Sequence, residues 1–227
     1  MIGMKCDARA NLNSQRKGKL MRKSNAITCV FLDIGGVLLT DGWDHLTRRR
    51  AAKNFGLQWA EMEDRHHLTF EVFEEGRITL DEYLSLVVFH QKRNFTRNQF
   101  RRYMFEQSKA FLDMIELVAQ LRLKLGVKIA IVSNEARELN AYRIAKFSLD
   151  RVADCFISSC FVHIRKPDVE MFKLALDLAQ VRPERAVFID NTPMFVQIAE
   201  GLGIQGVLHT DCDSTRAKLS HLGLNAE

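Results

Sequence analysis

Four places in this sequence join residue types that can act together on an anionic substrate. Asp33 follows the apolar run Ile27 to Leu32, Ser133-Asn134 follows Lys128 to Val132, and Asp190-Asn191 follows Ala186 to Ile189. Lys166-Pro167 stands just before a helical stretch that begins near Asp168. A carboxylate can attack an electrophile or ligate a hard cation, a hydroxyl and an amide can hold an oxyanion, and a lysine can offset negative charge. Each place alone has an ordinary structural explanation. An aspartate starts turns, Ser-Asn caps a helix, and a lysine before a proline sits in solvent. The chemistry depends on whether the chain brings all four together.

The elements that would do so are visible in the apolar pattern. Ile27 to Leu32 is too short for a helix and runs into the tight turn Asp33-Ile34-Gly35-Gly36, so it reads as a buried strand. Lys128 to Val132, Ala186 to Ile189 and Gln205 to Leu208 read the same way, with Cys155 to Ile157 a weaker candidate. Between them, Asp113 to Leu125 and Asp168 to Ala179 repeat apolar residues at helical spacing, and Gly126 stops the first. Strands alternating with helices of this length predict an α/β fold with a doubly wound parallel sheet. In such a sheet the carboxyl ends of the strands share one edge, where ligands bind. Asp33, Ser133-Asn134 and Asp190-Asn191 would meet there.

Residues 41–109 break the alternation. Leu46 to Phe55, Gln58 to Glu74, Leu80 to His90 and Arg97 to Gln107 are each periodic as helices, with Gly56, Gly76 and Asn94 at the breaks. Thr79 with Glu82, and Thr96 with Gln99, fit capping boxes. We therefore expect a helical cap at 41–109 over a core built from 25–40 and 110–227.

At 47% apolar and 27% charged residues the chain is composed as a folded domain, and no apolar run approaches the roughly 18 residues of a membrane span. The formal charge of +5 is local. Residues 1–24 hold seven basic residues against Asp7, a surplus of +6, which leaves the remainder at −1. That stretch has no apolar signal-peptide core and reads as a basic flexible tail, not as a nucleic-acid or membrane arm. Five cysteines (Cys6, Cys29, Cys155, Cys160, Cys212) form no CxxC pair, which fits reduced thiols in a cytoplasmic protein.

In order and spacing the four places resemble the motifs of the haloacid dehalogenase-like (HAD) hydrolases, in the segments VFLDIGGVLL, IAIVSN, RKPDVEMF and VFIDNTPMFVQIAEGLG. The resemblance runs from about Ile27 to Thr210. It includes the cap position of the capped subfamily I type and a DxGGV form of the first motif. It implies that Asp33 attacks phosphorus to form an aspartyl-phosphate, and that Ser133 and the backbone amide of Asn134 hold the phosphoryl oxygens. Lys166 would supply fixed positive charge. It further implies Mg²⁺ held by Asp33, the Gly35 carbonyl, Asp190 and Asn191, and a small phosphorylated metabolite as substrate.

Two positions depart from that pattern. The family's phosphatases place a second aspartate, the general acid, two residues after the nucleophile, where this chain has Gly35. Loss of general acid help costs poor leaving groups most, which favours sugar 1-phosphates or acyl phosphates. Among cap residues, His45, Asp44 and Asp41 are the nearest substitutes in sequence. Asn191 replaces a frequent second metal-site aspartate, which removes one negative charge from the site. These departures keep two rivals open: a silent family member that binds a ligand or partner, and a metal-free dehalogenase-like hydrolase using Asp33 on carbon. Against the latter, Phe195 stands where its water-positioning acid is expected. His66-His67 reads as a surface pair on the cap because adjacent helical residues diverge, and Trp43, Trp59, Phe70 and Phe73 read as core more than as a pocket.

Overall fold

The computed structural model describes residues 26–225; the basic stretch 1–24 and Cys6 lie outside the described residues. Strands β1 (Cys29–Leu32), β2 (Lys128–Ser133), β3 (Cys155–Ser158), β4 (Ala186–Asp190) and β5 (Gln205–Leu208) form one sheet in the order β3-β2-β1-β4-β5. Every pairing is parallel. The order reverses beside β1, which puts the ligand-binding crevice of such a sheet at the carboxyl ends of β1 and β4.

Buried strands explain why these segments read as continuous apolar runs. Val30 and Leu32 pack into one face with Ile129, Ile131, Val187 and Ile189, while Cys29 and Phe31 pack into the other with Ala130, Val132, Ala186 and Phe188. Helices α6 (Leu112–Leu125) and α11 (Cys212–His221) cover the first face; α9 (Val169–Ala179) and α10 (Pro193–Gly201) cover the second. Gly126 ends α6 in the left-handed region at φ 65°.

Between β1 and β2 lie α1 (His45–Asn54), α2 (Trp59–His67), α3 (Phe70–Glu74), α4 (Leu80–Val87) and α5 (Arg97–Glu106). Both capping boxes form, at Thr79 with Glu82 and at Thr96 with Gln99. The continuous helix expected over Gln58 to Glu74 is instead broken in two. Thr69 leaves the helical region at φ −128°, and its hydroxyl donates to the Arg65 and His66 carbonyls at 2.8 and 3.2 Å. A side chain competing for helical acceptors at a non-helical residue ends α2 and restarts the chain as α3. The five helices share one apolar cluster built on Trp43, Tyr83, Leu84, Phe100 and Met104, which continues onto Ala136 and Leu139 at the start of α7 (Arg137–Phe147). Among the described residues no helix is long and apolar enough to cross a membrane.

Candidate active site at the carboxyl ends of β1 and β4

Register sets the site. Leu32 pairs with Ile131 of β2 and Ile189 of β4, and the Asp33 amide continues the ladder to the Ile189 carbonyl at 3.0 Å. Asp33 therefore stands level with Asp190, and Ser133 lies one residue further along β2 at the same edge. Lys166 reaches into this edge from the loop before α9, fully buried. Its Nζ stands 3.1 Å from Asp33 Oδ1 and 2.6 Å from Asp190 Oδ2.

The lysine is held from both sides. Asn134 clamps its backbone, donating from Nδ2 to the Lys166 carbonyl at 2.9 Å and accepting from the Lys166 amide at 2.8 Å. The rings of Phe188 and Phe195 lie 5.4 and 5.0 Å from Nζ. Burial works against the ammonium charge, but Asp33 and Asp190 more than restore it and raise its pKa. Ser133, 1% exposed, presents its Oγ to the Ile34 amide at 3.4 Å.

Two carboxylates share one ammonium, so the floor keeps surplus negative charge. Burial and the Asp33 charge push the Asp190 carboxyl up to about 6, against the pull of Lys166 and of the Thr192 amide on Oδ1. An all-oxygen donor set with excess negative charge suits a hard divalent cation. The residues able to offer oxygen are Asp33, Asp190 and the Gly35 carbonyl. Among the described residues no group of three His, Cys, Asp or Glu side chains stands where it could hold a metal ion, and position 191 offers an amide instead of a carboxylate. The Asn191 carboxamide packs over Gly36, where an added Cβ would come within 2.0 Å of Nδ2, and it pulls the Asp41 pKa down. Gly36 has φ +71° and no room for a side chain.

The three substitute acids separate clearly. A Cβ on Gly35 would stand 3.1 Å from Asp41 Oδ1, so Asp41 fills the space that a longer residue at 35 would take. Burial, then the charges of Asp33 and Asp44, raise the Asp41 pKa, while Arg143 and Asn191 oppose the rise. Asp44 lines the same cavity and caps α1 through Oδ1, which accepts from the Thr47 amide at 2.7 Å. His45 points away to Glu63 at 3.1 Å with more than half its side chain exposed.

A cavity of about 400 Å³ opens above Asp33, roofed by Trp43, Phe70, Phe73 and Met104 and walled by Glu135, Leu139 and Arg143. Trp43 and Phe73 thus serve both core and cavity, whereas Trp59 lines a separate surface groove. His66 is not a surface residue: it is 7% exposed and faces the cavity, while its neighbour His67 is largely exposed. Burial and the charge of Arg48 lower the His66 pKa to about 3, so the ring is neutral. Tyr83 Oη accepts from Trp43 Nε1 at 3.0 Å and lies 2.8 Å from His66 Nδ1. The phenol proton therefore goes to Nδ1, and Nε2–H is left as the imidazole's donor.

Glu135 and Arg143 carry no signal in the sequence beyond an acid placed directly after Ser133-Asn134. They form a fully buried ion pair beside the cavity, and burial pushes the Glu135 carboxyl up to about 7 despite Arg143. Arg143 also ties both crossings between core and helical layer, donating from Nη2 to the Asp41 carbonyl at 2.5 Å and from Nε to Ser108 Oγ at 3.0 Å. On the far side, Arg165 pairs with Glu74 at 2.8 Å, and Ser159 Oγ donates to the Glu74 carbonyl at 2.6 Å. The helical layer thus rests on the core at both ends.

The chain is similar to known proteins over most of its length. The chain is 27% identical over 190 residues to a phosphorylated carbohydrates phosphatase of Thermotoga maritima, covering 80% of this chain and 85% of the relative. It is 26% identical over 194 residues to flavin mononucleotide hydrolase 1 of Arabidopsis thaliana, covering 83% and 78%. Its fold matches a HAD family enzyme of Bacteroides thetaiotaomicron, solved with magnesium and inorganic phosphate, at a TM-score of 0.70 and 20% identity over 82% of this chain and 95% of that one. The family model for haloacid dehalogenase-like hydrolases matches residues 27–203, a span that includes all four strand-end and loop positions of the site. The chain belongs to the haloacid dehalogenase-like hydrolases.

Proposed function

We propose that this protein is a magnesium-dependent phosphatase of a small phosphorylated metabolite, with Asp33 as nucleophile. The observation that carries the reading is Lys166 buried between Asp33 and Asp190, a fixed cation holding two carboxylates at the floor of the cavity. An Asp33 oxygen attacks phosphorus as the bond to the leaving oxygen breaks, giving an aspartyl-phosphate; water then cleaves it and frees inorganic phosphate. Asp41 is the carboxyl best placed to give the leaving oxygen its proton and to take one back from the water, since it fills the space beside Gly35. Ser133 and the Asn134 amide hold the phosphoryl oxygens and Lys166 offsets their charge. Asp33, Asp190, the Gly35 carbonyl and the Asn191 side-chain oxygen would hold magnesium, whose chemistry is to neutralise charge on the transferring phosphoryl group.

Residues 41–109 act in this reading as a cap over a core of 25–40 and 110–227, and the roof of the cavity selects the substrate. The two curated relatives, a carbohydrate phosphate phosphatase and a flavin mononucleotide hydrolase, support a phosphorylated small molecule. The four described cysteines are unpaired, which supports a reducing, cytoplasmic setting. The carbon-directed rival loses ground because Phe195 stacks on Lys166 where that chemistry needs an acid.

Hydrolysis of p-nitrophenyl phosphate and of a sugar phosphate panel, with and without magnesium, tests the reading. Activity that requires the metal and disappears in Asp33→Asn is expected. Turnover surviving that substitution, or no turnover by the wild type, would overturn it.

A further inference from the structure

The wall of the cavity has a charge pattern that phosphatase chemistry alone does not require. Arg48 and Arg143 line it, and no lysine does. Arg48 donates from Nε and Nη2 to the two Glu63 oxygens at 2.9 and 2.7 Å and from Nη1 to the Trp43 carbonyl at 2.7 Å. Arg143 donates from Nη1 to Glu135, from Nε to Ser108 and from Nη2 to the Asp41 carbonyl. Both guanidiniums are under a tenth exposed, and every nitrogen of each already meets a protein acceptor. Arg165, behind Glu74, is paired in the same way. Each guanidinium charge in the wall is therefore already matched by an acid, Arg48 by Glu63 and Arg143 by Glu135.

The acids are less fully engaged. Asp44 uses Oδ1 for the Thr47 amide and hydroxyl, both at 2.7 Å, and has no protein donor on Oδ2 among the described residues. Asp41, protonated or not, brings no positive charge. Of the other polar groups that line the cavity, the neutral His66 ring lies beside the aromatic faces of Phe70, Phe73 and Trp43, and His67, Glu74, Asn134 and Glu135 complete the set. A second phosphate or a carboxylate placed here would leave water, meet Asp44, and find no lysine and no arginine without an acid of its own. A hydroxyl would find an acceptor in Asp44 and a donor in His66.

Resting on the phosphatase reading, we propose that the cavity accepts phosphate monoesters whose leaving group carries no second negative charge and rejects those bearing another phosphate or a carboxylate. Competition against p-nitrophenyl phosphate tests this with the full-length protein and magnesium. Glycerol 3-phosphate is compared with 3-phosphoglycerate, and open-chain glucitol 6-phosphate with 6-phosphogluconate; each pair differs by a primary alcohol against a carboxylate. The neutral member is expected to compete better by at least about tenfold in both pairs, because like charge without a partner costs more than the 1.4 kcal/mol of one decade. Asp44→Asn keeps a helix cap, since asparagine caps as well as aspartate, and should narrow the ratio at least about threefold. Equal or inverted ratios, or ratios unmoved by Asp44→Asn, would overturn the proposal while p-nitrophenyl phosphate turnover left the phosphatase reading standing. Absence of that turnover would remove both.

Discussion

The floor of the cavity and its roof both bury charge, yet they balance it differently. On the floor Lys166 faces Asp33 and Asp190, and one negative charge is left over. In the walls and roof Arg143 meets Glu135 and Arg48 meets Glu63, one acid to each guanidinium. A balanced pair holds structure in place; an unbalanced cluster is a site awaiting a ligand that completes it. The difference marks which buried charges bear on chemistry and which bear on shape, although all sit within the same two layers.

Substitutions on the floor should therefore cost activity and spare stability. Asp33→Asn is expected to reduce kcat at least about 10⁴-fold, the scale of removing a nucleophile, while its melting temperature stays level or rises because a repulsion with Asp190 is relieved. A cooperative loss of fold in that variant would contradict the assignment of surplus charge. Asp41→Asn comes next. The drop should be about 10²–10⁴-fold on alkyl and sugar phosphates and much smaller on p-nitrophenyl phosphate, whose phenolate leaves without a proton. Equal losses on both classes would show that Asp41 does not serve the leaving group. Magnesium should raise the melting temperature of the wild type, as any ligand of the native state does, and should fail to do so in Asp190→Asn.

In the roof and walls the order reverses. Arg143→Met leaves Glu135 buried without its partner and unties the Asp41 and Ser108 segments, a loss of about 3 kcal/mol, or roughly 6–12 °C in melting temperature for a chain of this size. This is the low end of such losses because Glu135, already pushed up to about 7, can take up a proton. Calorimetry near pH 7 measures it. The smallest effect is expected at Glu63. Burial opposes its ionisation, but hydrogen bonds from Arg48 and His45 prevail and lower its pKa from 4.5 to about 2. A folded-state value below the unfolded one stabilises fully above pH 4.5 and is lost as pH falls through 2. Glu63→Gln should accordingly melt lower than wild type at neutral pH, by about 1–2 kcal/mol, with the gap closing on acidification below 4.5. A gap that widens in acid would reverse the sign of that linkage.

Much of this was legible in the sequence because it rests on local pattern. The five strands show as short apolar runs since both faces are buried, and their carboxyl-end residues follow directly from where each run stops. Both capping boxes lie within four residues and were equally readable. The break at Thr69 was not, because threonine is tolerated within helical patterns and only its hydroxyl's choice of acceptors ends the helix. Nor was the burial of His66, which depends on Tyr83 from another helix. Asp41 could be named as a neighbour but not distinguished from Asp44 and His45, for that depends on how the chain turns at Gly35 and Gly36. The Arg143 and Glu135 pair stayed hidden for a general reason: charged residues on helices are usually solvated, and their acceptors at Asp41 and Ser108 are remote in sequence.

The central position of β1 has a consequence for when the molecule becomes competent. Cys29 pairs with Ala186, so the strand leading into Asp33 gains its β4 neighbour only once the chain has grown past residue 186. A growing polypeptide can form the helices between β1 and β2, and can pair β1 with β2 and β2 with β3, before Asp190 exists to share Lys166. Non-local closure of this kind is slow. Assembly of this edge is thereby placed late, and a chain ending before β4 would hold Asp33 without Asp190 beside it.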